Sequence, residues 1–474
     1  MNDLASIPSQ LAGLVDAAAI LTDPARIAPM LRDHRALYRG HALAVIAPAD
    51  TAAVSRVVAW CNEHRVGVVP QGGNTGYCGG ATPDASSGQV LLSLARLNRV
   101  RALDTTNYTL TAEAGCILAN LQAAAAEADR YLPLSLGSEG SCMLGGNLST
   151  NAGGLNVIRY GMARELVLGL EVVLADGRVM DTLTGLRKDN TGYDVKSLFL
   201  GAEGSLGVIT AACLKLFPAL RSFATAFVAV RDPDAAVALL GALRAASGDC
   251  VSSFELIPRV AVELTTRHIP GVVDPLTDSS PWYVLCELSS SRANEPLEVL
   301  LEKTLGEALE SGWVRDASVA TNQRERELFW RLRETIPEAQ RKDGASLKHD
   351  ISVPVSQVPR FIETASSWVE KNIPQGLLVC YGHLGDGNLH FNINQRQGSL
   401  VAQLQAVEAK ARRAIHDLVR EFNGSFSAEH GIGQLKVFEL ERYANPVELD
   451  VMRALKKALD ANGIMNPGKV LKRG

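Results

Sequence analysis

Three histidines and one glutamate in the last hundred residues could carry out metal-assisted proton transfer. His383 and His390 flank the sequence Gly-Asp-Gly-Asn between two strand-like runs, so a chain reversal there would bring both imidazoles together. Glu429 and His430 follow on a glycine-bounded turn. Two imidazoles and a carboxylate can bind a divalent metal with one position open for substrate, whereas a lone histidine is more often a hydrogen-bonded structural residue.

Two glycine clusters in the first half could bind a phosphate-bearing ligand. Residues 70–76 read Pro-Gln-Gly-Gly-Asn-Thr-Gly after a predicted strand, and a second cluster runs from Gly145 to Gly154. Successive glycines can point backbone N–H groups into one concavity that suits a pyrophosphate. For either cluster alone, a set of tight turns is equally expected. Neither matches the usual nicotinamide-dinucleotide or P-loop fingerprint, so a dinucleotide would need another design.

This half resembles the FAD-binding domain of the vanillyl-alcohol-oxidase-type flavoproteins. The resemblance covers about residues 39–218. Besides the two glycine clusters, it rests on Arg159-Tyr160-Gly161 and on the segment 201–210. It implies that the first loop wraps the pyrophosphate and that later segments pass the flavin ring and adenosine. The residues to which it assigns cofactor binding are Pro70, Gln71, Gly72, Gly73, Asn74, Thr75, Gly76, Pro133, Leu134, Gly137, Gly145, Gly146, Asn147, Thr150, Asn151, Gly153, Gly154, Tyr160, Gly161, Glu203, Gly207, Ile209 and Asn466. Residues 74–77 contain no histidine, so the resemblance implies noncovalent FAD, with His64 as a tether to test.

The histidine clusters are similar to the metal site of the FAD-dependent D-2-hydroxyacid dehydrogenases. This resemblance implies that His383, His390 and Glu429 bind Zn²⁺ or a similar divalent metal and that His430 is the catalytic base. A Lewis acid on the C2 hydroxyl makes proton removal by a neutral imidazole feasible, while hydride passes from C2 to flavin N5.

The segments 329–335 and 346–350 resemble the substrate-carboxylate region of the hydroxyglutarate branch of that family. The resemblance implies substrate contacts by Arg333, Lys348 and Asn392, and a guanidinium with an ammonium suits a dianion. Pro337 stands where the branch commonly has a threonine and can donate no hydrogen bond. The expected reaction is oxidation of D-2-hydroxyglutarate to its 2-oxoacid, with D-lactate or another D-2-hydroxyacid as the alternative substrate.

A noncatalytic zinc- or nucleotide-binding protein is the alternative from a different class. Its glycines would form structural turns, and its histidines would only hold a domain together. For the enzyme, the family implies an electron-transfer flavoprotein or a quinone-like compound as electron acceptor. The family is also compatible with a homodimer.

The candidate residues need a scaffold, and its elements can be read from the pattern. Residues 43–70 read strand, helix, strand, with Asp50 as the helix cap. After Pro218 the glycine density falls and helical periods alternate with strand-like runs, which indicates a domain boundary. We predict an α+β architecture: a two-subdomain FAD-binding domain, a substrate domain with an antiparallel sheet and a C-terminal helical segment. The predicted segments are 1–38 (N-terminal, helical), 39–218 (FAD-binding), 219–424 (substrate-binding) and 425–474 (carrying the Glu-His pair and returning to the flavin).

Composition restricts the class of protein. The 474 residues are 47% hydrophobic and 21% charged, which is ordinary globular usage for two or three domains. A net charge of −4 gives no electrostatic basis for binding nucleic acid. The eight cysteines form no C-x-x-C pair, and no signal peptide or transmembrane run is apparent, so we expect a cytoplasmic protein with reduced thiols.

Overall fold

The computed structural model describes residues 10–11, 13–86 and 88–473, which divide into two compact units. The first unit contains residues up to 154, residues 161–219 and residues 429–474. The second contains residues 155–160 and 220–428. The predicted FAD-binding segment ends at 218, and the chain passes from the first unit to the second after residue 219. The predicted substrate-binding segment ends at 424, and the chain passes back to the first unit after residue 428. Residues 1–9 of the predicted N-terminal helical segment lie outside the described residues.

The chain up to residue 219 is rich in short strands. These strands are β1 (Ile20–Leu21), β2 (Ala44–Ile46), β3 (Gly67–Gln71), β4 (Gln89–Ser93), β5 (Val100–Asp104), β6 (Thr109–Glu113), β7 (Arg130–Tyr131), β8 (Val167–Leu174), β9 (Val179–Asp181), β10 (Gly207–Lys215) and β11 (Phe217–Pro218). The helices are α1 (Pro24–Ile27), α2 (Thr51–Glu63), α3 (Leu118–Glu127), α4 (Leu144–Ser149), α5 (Val157–Tyr160) and α6 (Ala163–Leu166), of which α5 belongs to the second unit.

The first unit holds two principal sheets. In the four-stranded sheet, of order β1-β2-β4-β3, β4 pairs in parallel with both β2 and β3. The predicted strand-helix-strand is therefore confirmed, and the Asp50 side chain caps α2 by accepting the Ala53 N–H at 2.7 Å. Buried Val54, Val57 and Cys61 line one face of α2, as their helical spacing requires. The other sheet, of order β5-β6-β10-β8-β9, is antiparallel throughout.

The second unit is built around one antiparallel sheet, as predicted. Its strands are β12 (Ser222–Val230), β13 (Val251–Pro258), β14 (Trp282–Ser290), β15 (Val314–Val319), β16 (Ser346–Leu347), β17 (Asp350–Ser352), β18 (Gly376–His383) and β19 (Asn388–Gln395). Its helices after residue 220 are α7 (Pro233–Ser247), α8 (Arg259–His268), α9 (Leu297–Glu310), α10 (Gln323–Glu334), α11 (Ile336–Asp343), α12 (Val358–Asn372), α13 (Val401–Ala406) and α14 (Glu408–Glu421). The strand order is β15-β12-β14-β13-β18-β19-β16, and β17 also pairs with β19.

Helices cover both faces of this sheet. Along β14, Val284 and Cys286 belong to the hydrophobic cluster that includes residues of α7, α9 and α12, whereas Tyr283 and Leu285 belong to the cluster of α8, α10 and α11. Side chains alternate between the faces of a strand, so a central strand covered on both faces must be apolar at nearly every position. This accounts for the continuous apolar run that predicted the strand.

The C-terminal stretch returns to the first unit. It contains helices α15 (Val437–Tyr443) and α16 (Pro446–Leu459), which bear out the predicted helical C-terminus. Beyond α16, the Val68 N–H of β3 donates to the carbonyl of Ile464 at 2.8 Å, and Asn466 donates to the carbonyl of Val68 at 2.8 Å. Met465 is fully buried in the same cluster as Val68. Residues 464–466 therefore form a parallel bridge to β3 at the edge of the four-stranded sheet.

Candidate active site

The first glycine loop follows β3, and a side chain of the cluster itself anchors it to backbone carbonyls outside the cluster. Gln71 donates from Nε2 to the carbonyls of Met30 at 2.9 Å and Ala81 at 2.8 Å. Asn74 has a positive φ of 54°, which asparagine tolerates better than most residues. A Cβ at Gly73 would lie 2.2 Å from the carbonyl oxygen of Ser141, so only glycine fits there. The loop is thus closely packed against the segment that precedes the second cluster.

The second glycine cluster begins as helix α4 and not as a series of turns. Gly145 packs against the residue that follows β6, where a Cβ would approach that of Ala114 to 2.7 Å. By contrast, a Cβ at Gly146 would meet no protein atom within 4 Å, so the backbone there faces open space. The Thr150 hydroxyl donates to the Gly146 carbonyl at 3.0 Å and ends the helix.

Both loops line one open cleft within the first unit, whose empty space, open solvent included, is about 840 Å³. The predicted cofactor residues in its wall are Pro70, Gln71, Gly72, Gly73, Asn74, Thr75, Gly76, Gly145, Gly146, Asn147, Thr150, Glu203, Gly207 and Ile209. Residues of the wall that the sequence analysis did not select are Cys78, Gly80, Ala81, Leu94, Met143, Ser149, Gly204 and Val208. Ser149, Gly204 and Val208 lie inside the motifs quoted above, and Cys78 and Met143 lie two positions from a selected residue, so most of the missed residues could have been found from the motifs.

Other predicted cofactor residues lie outside this wall. They are Pro133, Leu134, Gly137, Asn151, Gly153, Gly154, Gly161 and Asn466, while Tyr160 belongs to the second unit. The Asn466 side chain donates to the carbonyls of Gly80 at 2.9 Å and Glu203 at 2.6 Å, two residues of the wall. Asn466 therefore joins two parts of the cleft wall, and direct contacts of this group with a cofactor stay a prediction.

His430 also lies in the cleft wall, with its ring centroid 4.7 Å from that of Tyr77. The turn that carries it is held by Glu203, whose carboxylate accepts the N–H groups of Ile432 at 2.6 Å and Gly433 at 2.8 Å. Burial raises the pKa of Glu203, although these two hydrogen bonds act in the opposite direction. Gly433 has a φ of 52°, and a Cβ there would lie 2.1 Å from the Cys78 carbonyl oxygen. The turn therefore fixes His430 at the cleft.

Glu429 precedes His430 in the same unit. Its Oε1 accepts the backbone N–H of Gly154 at 3.0 Å. This hydrogen bond ties the end of the second glycine cluster to the Glu-His pair. One lone-pair direction of Oε1 is used, and a carboxylate keeps further acceptor sites.

In the second unit, the predicted chain reversal joins His383 and His390. β18 and β19 pair in antiparallel register, with Tyr381 opposite His390. The ring centroids of His383 and His390 lie 5.6 Å apart. Gly387 adopts a φ of 81° in the turn, as its position in a tight reversal requires.

A buried glutamate that the sequence analysis did not identify joins two of the predicted residues. Glu255 Oε1 lies 2.6 Å from His383 Nδ1, and Oε2 accepts from Arg333 Nε at 2.7 Å. Burial by itself raises the pKa of Glu255, but the Arg333 and His383 charges lower it to about 2. When His383 is neutral, its hydrogen bond to this carboxylate places the imidazole proton on Nδ1, because the carboxylate accepts.

Arg333 is only partly satisfied by this partner. Its side chain is 6% exposed, and Nη2 lies 2.6 Å from Glu255 Oε2 but makes no hydrogen bond of suitable angle. The guanidinium also lies 4.9 Å from the centroid of the Tyr381 ring. Nη2 is thus ion-paired with Glu255 but lacks a well-aligned acceptor, and a buried donor of this kind suits an anionic ligand.

The remaining predicted substrate residues differ in environment. Asn392 is buried and donates from Nδ2 to Gln340 Oε1 at 3.1 Å, whereas Lys348 is exposed. Pro337 lies in the first turn of α11, where a missing N–H costs nothing. The nearby Thr335 hydroxyl donates to the Arg331 carbonyl at 2.7 Å, so it does not replace the absent threonine.

Comparisons with known proteins cover both units. Residues 42–183 match a family model described as an FAD binding domain, and residues 220–470 match one described as the C-terminal domain of FAD linked oxidases. A protein of Oryza sativa subsp. indica named probable D-2-hydroxyglutarate dehydrogenase, mitochondrial, is 40% identical over 96% of this chain and 79% of its own length. D-2-hydroxyglutarate dehydrogenase of Bos taurus, also named mitochondrial, is 38% identical over 99% and 83%. The Xanthomonas citri pv. viticola protein named D-2-hydroxyglutarate dehydrogenase is 34% identical over 96% and 95%.

Solved structures support the same fold. p-Cresol methylhydroxylase with bound substrate superposes with a TM-score of 0.75 at 19% identity, covering 100% of this chain and 98% of that one. An alkyldihydroxyacetonephosphate synthase gives a TM-score of 0.74 at 17% identity, covering 98% of this chain and 84% of that one. The predicted vanillyl-alcohol-oxidase-type fold is confirmed. Within the part of the chain that the structure describes, no helix has the length and apolarity of a membrane span.

Proposed function

The chain belongs to the FAD-dependent D-2-hydroxyacid dehydrogenases of the vanillyl-alcohol-oxidase-type flavoprotein family, and from this premise we propose that it oxidises D-2-hydroxyglutarate to the 2-oxoacid. The observation that carries the proposal is the similarity of almost the whole chain to proteins of that name, at 34–40% identity for those described above. The chain is thus an enzyme whose cofactor is FAD, and the substrate and mechanism are the proposed part.

The cleft of the first unit fits FAD. Its wall combines bare backbone at Gly146 with the closely packed loop around Gly73, which is the surface that a dinucleotide phosphate needs. We propose noncovalent binding, because His64 stacks on Trp60 with centroids 4.1 Å apart and is not part of the cleft wall. Bound FAD supplies the hydride acceptor for the alcohol carbon.

His430 is proposed to accept the proton of the C2 hydroxyl. An imidazole is largely neutral near pH 7, so it can take a proton and later release it to water. The hydrogen bonds from Ile432 and Gly433 to Glu203 hold the backbone of this turn, which keeps the base at a fixed place in the cleft wall.

His383, His390 and Glu429 are proposed to bind Zn²⁺ or a similar divalent ion. The Glu255 contact leaves Nε2 of His383 as a ligand atom, and two imidazoles with one carboxylate form a donor set typical of catalytic zinc. The proposal requires Glu429, from the first unit, to complete this set. Such an ion lowers the pKa of a hydroxyl bound to it.

Arg333, Lys348 and Asn392 are proposed to bind the carboxylates of a dianionic acid. The Nη2 of buried Arg333, which is ion-paired with Glu255 but has no well-aligned hydrogen bond, supports this role. Pro337 offers no donor, which keeps D-lactate or another D-2-hydroxyacid as the second candidate substrate. Reoxidation by an electron-transfer flavoprotein or a quinone-like acceptor is proposed from the family alone.

Anaerobic reduction of the flavin by a panel of D- and L-2-hydroxyacids tests the proposal. We expect D-2-hydroxyglutarate to bleach the flavin band near about 450 nm at lower concentration than D-lactate, and the L-acids to leave it unchanged. Stripping with a chelator should slow the bleaching, and added Zn²⁺ should restore it.

Three results would contradict parts of this proposal. Preference for D-lactate would select the second candidate substrate. Full activity after complete metal removal would reject the metal. A colourless protein with a tightly held stoichiometric metal would favour the noncatalytic alternative.

A further inference from the structure

Glu255 occupies a position in the second unit that no sequence motif marks. It lies on β13, is fully buried and stands opposite His383 in the register of β13 and β18. Its two oxygens are divided between partners, with Oε1 toward His383 Nδ1 and Oε2 toward Arg333 Nε. These partners come from β18 and from α10, so one carboxylate joins a strand and a helix.

The chemistry of the three groups fixes which atoms carry protons. A guanidinium can only donate, so Glu255 Oε2 accepts from Arg333, and at the 2.6 Å contact with Oε1 a neutral His383 imidazole presents Nδ1–H to Glu255. Its other nitrogen, Nε2, is then unprotonated, which is the form that binds a metal. The same carboxylate orients the guanidinium of Arg333, because Nε and Nη2 both approach Oε2.

We propose that Glu255 is a positioning residue that holds His383 in its metal-binding tautomer and Arg333 in its substrate-binding orientation. This inference rests on the metal and substrate roles given to His383 and Arg333 under the proposed function. It predicts that metal affinity depends on the hydrogen-bond polarity at residue 255 and not merely on filling the space.

A second buried carboxylate provides a matched control. Glu287, on the adjacent strand β14, is also buried and binds Arg326 through Nε at 2.6 Å and Nη2 at 2.8 Å. It also accepts from Thr225 and from the Trp330 indole, and none of these partners is a histidine. A purely structural role for Glu255 would make the two residues equivalent.

The variant Glu255→Gln inverts the polarity of the His383 hydrogen bond. The amide oxygen is drawn to the Arg333 cation, so the amide NH₂ faces His383 Nδ1 and favours the tautomer with a proton on Nε2. We expect Zn²⁺ affinity to fall about 10- to 100-fold, the usual effect of losing such a partner. Glu287→Gln should leave the affinity unchanged.

The double variant Glu255→Gln/Arg333→Met separates polarity from packing. Without the guanidinium, the amide oxygen is free to accept from His383, so Zn²⁺ affinity should recover although the core has been changed twice. The measurement is competition for Zn²⁺ against a chromophoric chelator, with chelator-stripped, FAD-loaded protein. Unchanged affinity in Glu255→Gln, or a double variant as weak as the single one, would overturn the inference.

A measurement on the unaltered protein covers the case in which the variants do not fold. ¹⁵N-histidine NMR of the metal-free enzyme, with the His383 signal assigned by its loss in His383→Gln, should show Nδ1 protonated and Nε2 unprotonated. The opposite tautomer would overturn the inference. A protein with the expected tautomer and Zn²⁺ affinities that does not oxidise D-2-hydroxyglutarate would refute the proposed function and leave the role of Glu255 intact.

Discussion

Proton transfer depends on single side chains, and the proposed reaction requires His430 as the base. It lies in the wall of the glycine-lined cleft, beside the ring of Tyr77, on a turn whose backbone N–H groups bind Glu203. An asparagine would occupy similar space there and could still form hydrogen bonds. It could not accept a proton near neutral pH.

We therefore expect His430→Asn to slow anaerobic reduction of the flavin by about 100- to 10,000-fold, the usual contribution of a general base. Stopped-flow absorbance measures the rate, and FAD and metal contents should stay at the wild-type level. His41→Asn, which changes an exposed histidine of the same unit, should not affect the rate. Undiminished reduction in His430→Asn would reject the base assignment.

His383 and His390 have a local sequence signature and could be predicted, whereas Glu255 has none and could not. His383 and His390 are brought together by a short reversal whose glycines are visible in the sequence, and the structure contains that hairpin. Glu255 is an isolated acidic residue in an apolar strand, 78 residues from Arg333 and 128 from His383. Only the sheet register and the packing of α10 create its contacts, and neither can be read from one sequence.

Among the elements, the two glycine clusters behave differently from each other. The first is a loop, as expected, whereas Leu144–Ser149 in the second is helical despite two glycines, which are poor helix formers. Contact of Gly145 with Ala114, directly after β6, explains the exception, because tertiary packing outweighs local propensity.

The close packing of the first loop makes a specific prediction for Gly73. A methyl group there would meet the Ser141 carbonyl oxygen at 2.2 Å, so the loop must move away from its neighbour. We expect Gly73→Ala to weaken FAD binding by about tenfold or more, since overpacking costs about 1–3 kcal/mol. Titration of the apoprotein with FAD measures this effect. Gly140→Ala, which meets no atom within 4 Å, is the control, and equal FAD affinities for both variants would contradict the argument.

At the scale of the molecule, the first unit is assembled from three stretches of chain. The family resemblance predicted that the C-terminal segment returns to this unit, although Asn466-Pro467-Gly468 alone would suggest no more than the end of a helix. The pairing of residues 464–466 with Val68 could not be derived from the pattern, because a partner almost 400 residues away leaves no local periodicity.

A substitution at Met465 tests how much the stability of the first unit depends on the C-terminal residues that pack on β3. Its side chain is fully buried against β3, so Met465→Ala should destabilise the unit by about 2–5 kcal/mol, the usual cost of such a truncation in a core. Flavin fluorescence during thermal release of FAD measures the loss as a lower transition temperature. Val447→Ala, at a residue that is 71% exposed, should leave this temperature unchanged, and equal temperatures for both variants would refute the argument.

The contact between β3 and the C-terminal residues 464–466 has a consequence for the order in which the protein is translated and binds FAD. During translation, β3 leaves the ribosome long before residues 464–466 exist, and the entire second unit is synthesised in between. Until those residues emerge, the nascent chain holds an unfinished sheet edge next to its first glycine loop. Capture of the flavin should therefore follow completion of the polypeptide, and ribosome-bound chains stalled before Ile464 should bind it poorly.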